Sequence, residues 1–78
     1  MRNLNKRKQN AAVVRAIEIA GSQQALADTL GCVQSAISKR LYGQVPITGD
    51  WAVDVERALK GKITREELRP DLFRRSAA

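Results

Sequence analysis

The stretch Gly31–Gly43, GCVQSAISKRLYG, contains the pattern that decides the fold. Three apolar side chains, Val33, Ile37 and Leu41, recur four residues apart, which is the spacing of one stripe along a helix. The other side of this helix is polar. A glycine stands at each end, and glycine readily adopts the left-handed backbone that ends a helix or makes a tight turn. The stretch therefore predicts a short amphipathic helix that is entered through a turn at Gly31 and holds to its neighbour through the three apolar residues.

The segment before this turn predicts a second helix that crosses the first. Ser22 is suited to cap its N-terminus, because the hydroxyl can accept a hydrogen bond from an amide of the first turn. Ala27 is small at the position where two crossing helices approach closely, and Ile37 is the apolar residue that contacts it from the other helix. The inner face of this helix is expected to comprise Leu26, Ala27 and Leu30. Together these spacings predict a helix-turn-helix over residues 23–42.

Three further helices are predicted outside this unit, and no segment has the alternation of a strand. The first runs from about Asn5 to Ala20. Another runs from about Gly49 to Lys60, with Trp51 expected to be the largest contributor to the core. The last begins at Thr64, whose spacing to Glu67 is that of a capping box, and stops before Pro70. The apolar positions of the helix that ends at Ala20 are Val13, Val14, Ile17 and Ala20. Those of the helix that starts near Gly49 are Trp51, Val55 and Leu59, and those around the last helix are Ile63, Leu68, Leu72 and Phe73.

The composition predicts one small folded domain over residues 1–78, with flexible ends at 1–6 and 74–78. The chain has 14 Lys and Arg against 8 Asp and Glu, a formal charge of +6. Such a balance favours a polyanionic partner. The cations at the two ends are Arg2, Lys6, Arg7, Lys8, Arg15, Arg74 and Arg75.

Other functional classes fit the sequence poorly. With one cysteine and no histidine, neither an internal disulfide, an ordinary zinc site nor a histidine-dependent catalytic centre is expected. No phosphate-binding glycine loop or catalytic carboxylate pair is evident, so we expect no enzyme, no cofactor, no metal and no small-molecule substrate. No apolar run approaches the ~20 residues of a spanning helix, and the N-terminus lacks the apolar segment of a signal peptide. A location in the reducing cytoplasm, away from membranes, is expected.

The chain resembles a known family over about Val14–Phe73. Ala27, Gly31 and Ile37 have the spacing of the helix-turn-helix in phage Cro and repressor proteins, and Gln34-Ser35-Ala36-Ile37 followed by Lys39 is similar to the Cro recognition helix. The ending ITREELRPDLF resembles the all-helical Cro-like, YdaS-type branch found in prophages. The resemblance implies a compact five-helix domain with a lambda repressor-like fold. It also implies a transcriptional repressor that binds operator DNA as a weak homodimer, formed or strengthened on the DNA. The candidate region for the contact between the two copies is residues 51–73.

The resemblance implies that the third helix lies in the major groove, and its side chains suit that position. Gln34 can pair with adenine, Lys39 can donate to guanine, and a serine hydroxyl can bond to either base. The predicted base-contacting residues are Gln34, Ser35, Ser38 and Lys39. Contacts to the DNA backbone are expected from Ser22 and Gln23, where a helix begins, with Arg40 and Tyr42 as additions.

Two residues depart from the family pattern. Val33 stands where a serine or threonine cap is common, so the helix begins with an uncapped amide or Val33 contacts a thymine methyl group. Arg40 stands where relatives carry an apolar residue, and its stem is expected along the edge of the core with its head turned to phosphate.

Alternatives remain at the level of function. The basic N-terminus is either a DNA-binding arm or a solubilising tail. Two alternatives concern the whole domain. One is an antitoxin-like module that binds another protein, and the other is a basic helical domain that binds nucleic acid or membrane without sequence preference.

Overall fold

The computed structural model describes residues 9–73, and five helices and no strand lie within that range. The helices are α1 (Ala11–Ala20), α2 (Gln23–Leu30), α3 (Gln34–Leu41), α4 (Gly49–Ala58) and α5 (Arg65–Leu68). The prediction of an all-helical domain with a helix-turn-helix is confirmed. The predictions of flexible ends at 1–6 and 74–78 lie outside the described residues.

Helix α1 begins later than the sequence predicted, because Asn10 caps it. The Asn10 side chain accepts hydrogen bonds from the amides of Ala12 and Val13, at 2.9 and 3.1 Å. Its own backbone is extended, at φ −71° and ψ 119°, so the helix cannot continue through it. The predicted start near Asn5 was therefore wrong, although residues 5–8 lie outside the described range. The predicted end at Ala20 is confirmed.

The turn between α2 and α3 forms as predicted. Gly31 has φ 76° and ψ 31°, in the left-handed region that costs glycine little. The amide of Cys32 donates to the carbonyl of Ala27 at 2.9 Å, which closes the end of α2. At the start of α2, the Ser22 hydroxyl accepts from the Ala25 amide at 3.0 Å, as expected of a cap.

Helix α4 is shorter than predicted, and it buries Val55 and Leu59 as expected. It ends at Ala58 rather than Lys60, and its first turn is capped by Thr48, which accepts from the Trp51 amide at 3.2 Å. Its buried residues are Ala52, Val55 and, just beyond the helix, Leu59. Trp51 is half-buried and packs against the core, so its rank as the largest contributor to the core stays a prediction. The fully buried position beside it belongs to Ala52, on a helix that packs against α2, where a small side chain permits close approach.

The capping box of α5 is present. Thr64 accepts from the Glu67 amide at 3.3 Å, and the Glu67 carboxylate accepts from the Thr64 amide at 3.4 Å. The chain then returns to the start of α4, where a Cβ on Gly49 would lie 3.4 Å from both Leu72 and Phe73. The apolar residues of this tail were expected to fold back onto the core or onto a second subunit. Ile63 and Leu68 are buried and Phe73 packs against the core, whereas Leu72 remains 52% exposed.

One core joins all five helices. Its members come from every helix and from the connections on either side of α4. They are Val13, Ala16, Leu26, Ala27, Ile37, Leu41, Ile47, Ala52, Val55, Leu59, Ile63 and Leu68. No helix in residues 9–73 is long and apolar enough to span a membrane.

Candidate nucleic-acid interface

Helix α3 has one buried side and one exposed side. Ile37 is fully buried and Leu41 is 3% exposed, so these two residues attach the helix to the core. Val33 is 65% exposed, and the prediction that it shares their contact was wrong. The reason is its place before the helix, where the extended backbone at φ −89° and ψ 157° no longer follows the helical stripe.

Three of the four predicted base-contacting residues are exposed on α3. Gln34, Ser35 and Lys39 are exposed, and Ser38 is half-buried. Within residues 9–73, none of these four side chains makes a hydrogen bond, and Lys39 makes no ion pair. Their hydrogen-bonding groups are therefore available to a partner. All four residues belong to α3, which packs against the core through Ile37 and Leu41.

The N-terminal end of α3 is open. Val33 precedes the helix and offers no side-chain hydrogen bond to it. The first amides of a helix have no partner within the helix, and they give that end partial positive charge. The end of α3 that carries Gln34 and Ser35 is thus also electrostatically suited to approach an anion.

The predicted backbone-contacting residues lie at the two ends of the helix-turn-helix. Ser22 is exposed before α2, and Gln23 is half-buried in its first turn. Arg40 and Tyr42 lie at the C-terminal end of α3.

Arg40 lies differently from its prediction. Its guanidinium is 4.9 Å from the centre of the Trp51 ring, and Nη1 donates to the Ala36 carbonyl at 3.0 Å. Its Nε is buried without a hydrogen-bond partner. A cation above an indole is attracted by the partial negative charge on the face of the neutral ring, and the head of Arg40 is directed to Trp51 rather than outward. The stem lies at the core edge as expected, and the phosphate contact stays a prediction.

Tyr42 connects the end of α3 to the chain that precedes α1. The Gln9 side chain donates to the Tyr42 hydroxyl at 3.1 Å, and the Asn10 amide donates to the Leu41 carbonyl at 2.8 Å. Sequence analysis missed Gln9 and Asn10 because the contact joins residues more than thirty positions apart. Gln9 and Asn10, the first described residues, therefore lie beside the C-terminal end of α3.

The positive charge of the chain is unevenly distributed. Residues 9–73 contain eight Lys and Arg and all 8 Asp and Glu, which leaves this part formally neutral. The whole formal charge of +6 therefore belongs to the two ends, four cations before residue 9 and two after residue 73.

Three ion pairs in the described chain lie away from α3. Arg65 donates to Glu56 at 2.8 Å and lowers the pKa of that carboxyl from its usual range, chiefly through this hydrogen bond. Arg69 likewise lowers the pKa of Asp71 to about 2. Arg15 donates to Glu67 at 3.0 Å. Acidic groups are thus engaged around α5, and no group of three metal-ligating side chains occurs in residues 9–73.

Comparisons with known proteins identify a family that matches most of the chain. The family described as "Bacterial toxin YdaS" matches residues 13–76. A protein of Escherichia coli (strain K12) named "Putative transcriptional regulator YdaS" is 32% identical over 75 residues, covering 91% of this chain and 76% of that protein. No solved structure gives a significant match.

Proposed function

This chain belongs to the YdaS family, and from that premise we propose that it is a DNA-binding transcriptional regulator. The name of the Escherichia coli relative supports a regulatory role. More specifically, we propose that this regulator is a Cro-type repressor of a phage or prophage, which acts in the bacterial cytoplasm. Neither name describes an enzyme, and we propose no catalytic activity.

The observation that carries the proposal is the division of α3 into two sides. Ile37 is fully buried behind the Gly31 turn, while the polar side chains in front have no partner within residues 9–73. A helix held in this way can enter the major groove, which admits an α-helix and presents a distinct donor and acceptor pattern for each base pair.

The four polar residues then have different roles. The Gln34 amide donates and accepts at adenine, and the Lys39 ammonium donates to the acceptors of guanine. Ser35 and Ser38 have hydroxyl groups that bond to either base. Ser22 and Gln23 contact phosphate at the start of α2, with Arg40 and Tyr42 contributing at the far end of α3.

The basic N-terminal segment supplies affinity without sequence preference. Residues 9–73 are formally neutral, so long-range attraction to phosphate rests on the charges before and after them. Replacing Arg2, Lys6, Arg7 and Lys8 with alanine should weaken binding to all sequences. It should reduce the slope of log K against log salt by up to about 3.6, if each cation neutralises one phosphate. An unchanged slope would assign the segment to solubility alone.

We propose that two copies bind near-palindromic half-sites about one helical turn apart. The candidate dimer contact remains within residues 51–73, where Leu72 is exposed and Trp51 and Phe73 are half-buried. Because the domain is small, the dimer is weak and is strengthened by DNA.

A second candidate follows from the description of the family as a toxin. In that case the chain, like the antitoxin-like alternative, acts through another protein. Growth inhibition on overexpression that persists in a Gln34→Ala, Lys39→Ala double variant would favour a protein partner, whereas its loss would favour action through DNA.

Selection from random duplex DNA tests the main proposal. We expect an enriched motif with two related halves, protected in the major groove. Recovery of no enriched motif, with binding that depends only on salt, would instead support a non-specific nucleic-acid binder.

A further inference from the structure

Val33 is a large apolar residue exposed beside the polar side of α3. It is 65% exposed, and only Leu72 shares this property among the large apolar side chains of residues 9–73. Single exposed apolar residues are common on protein surfaces, so exposure alone indicates no function. Val33 directly precedes Gln34 and Ser35, two of the proposed base-contacting residues.

The same residue stands where folding favours a different side chain. The other four helices begin after Asn10, Ser22, Thr48 and Thr64, each of which accepts a hydrogen bond from an amide of the first turn. Valine cannot accept such a bond, and it is among the least favourable N-cap residues. Val33 therefore neither adds to the core nor caps its helix. Residues that break a local rule without a gain in folding occur preferentially where function requires them.

The chemical group that Val33 can contact follows from the base edges of the DNA major groove. Among the groups on base edges in the major groove, the 5-methyl of thymine is the apolar one, and apolar side chains contact it. We propose that Val33 contacts the 5-methyl group of one thymine in each half-site and thereby selects that base. This inference rests on the proposed function, and it adds a specificity-determining residue to the four polar ones.

Replacing thymine with deoxyuridine tests the contact, because this change removes only the methyl group. The probe is the duplex recovered by selection, with each thymine replaced in turn. For the unaltered protein we expect one position in each half-site at which replacement weakens binding about fourfold, the value of one buried methyl group. Val33→Ser should bind the thymine and deoxyuridine duplexes equally at that position.

The same variant separates contact from folding. Val33→Ser should raise Tm by roughly 2–8 °C, because serine supplies the missing cap. Val45→Ser is the matched control: it makes the same substitution at a half-buried valine in the connection before α4, outside the proposed DNA and dimer contacts, and should leave the sensitivity to deoxyuridine unchanged.

Three results would overturn the inference. The first is an unaltered protein that tolerates deoxyuridine at every position. The second is a loss on deoxyuridine replacement that is equal in the unaltered protein and Val33→Ser, since an interaction between the two groups requires non-additivity. The third is a selection without any enriched motif, which would reject the proposed function together with this contact. An enriched motif combined with either of the first two results would reject only the role of Val33.

Discussion

The exposed side of α3 and the region around α5 differ in whether their polar side chains have partners within the chain. Around α5, the ion pairs Arg65–Glu56, Arg69–Asp71 and Arg15–Glu67 join groups of the same chain. On α3, Gln34, Ser35, Ser38 and Lys39 make no side-chain hydrogen bond within residues 9–73. Both regions are rich in polar groups, but only on α3 do they remain available to a partner. Composition alone therefore does not locate an interface, whereas the intramolecular partners of each group do.

The contrast predicts that substitutions on the two sides of α3 affect different measurements. Ile37→Ala removes a fully buried side chain and should lower the free energy of unfolding by about 2–5 kcal/mol. Val33→Ala, four residues earlier and 65% exposed, should change it by less than about 0.5 kcal/mol. Urea denaturation followed by circular dichroism measures both variants. Equal losses would show that Val33 is buried in solution and would remove the distinction between the two sides.

Local chemistry made much of this fold predictable. Ser22 as a cap, Gly31 in a left-handed turn and the Thr64–Glu67 box each depend on residues at most five positions apart. The burial of Ile37 followed from helical spacing next to the turn. For such features the sequence contains both partners of the interaction within one short segment.

The features missed from the sequence are those that a distant part of the chain decides. Trp51 and Ala52 are adjacent apolar residues, and only the approach of α2 to α4 makes the smaller one the buried one. Arg40 is directed to Trp51 across a loop, and this pairing has no signature in either segment. Asn10 was overlooked because helix-compatible residues precede it. The DNA-contacting roles on α3 stay predictions, since they depend on a partner outside the chain.

A pair of lysine variants sharpens the comparison between the two regions. Lys39→Ala should lose about 1–3 kcal/mol of binding free energy, confined mainly to one base position of the selected motif. Lys62→Ala removes an equally exposed cation from the connection before α5 and should leave base preference unchanged. Competition binding with single-base variants of the operator measures both, and thermal unfolding should show little change in either. A uniform loss across all base variants for Lys39→Ala would assign that residue to phosphate.

The ion pairs around α5 should affect acid stability without affecting DNA preference. Arg65 lowers the pKa of Glu56 in the folded chain, so the pair stabilises the fold above the ordinary carboxyl pKa, and this stabilisation is lost as pH falls through the lowered one. Asp71 behaves in the same way, with a folded pKa of about 2. Between about pH 5 and pH 2 the free energy of unfolding should therefore fall, and Glu56→Gln should make that fall shallower.

The control is Asp54→Asn, which changes an exposed acid of the same helix that has no ion pair in the described chain. This variant should retain the original pH dependence of the free energy of unfolding. If Glu56→Gln instead altered base preference at neutral pH while its unfolding stayed unchanged, the polar groups around α5 would belong to the interface, and the contrast with α3 would fail.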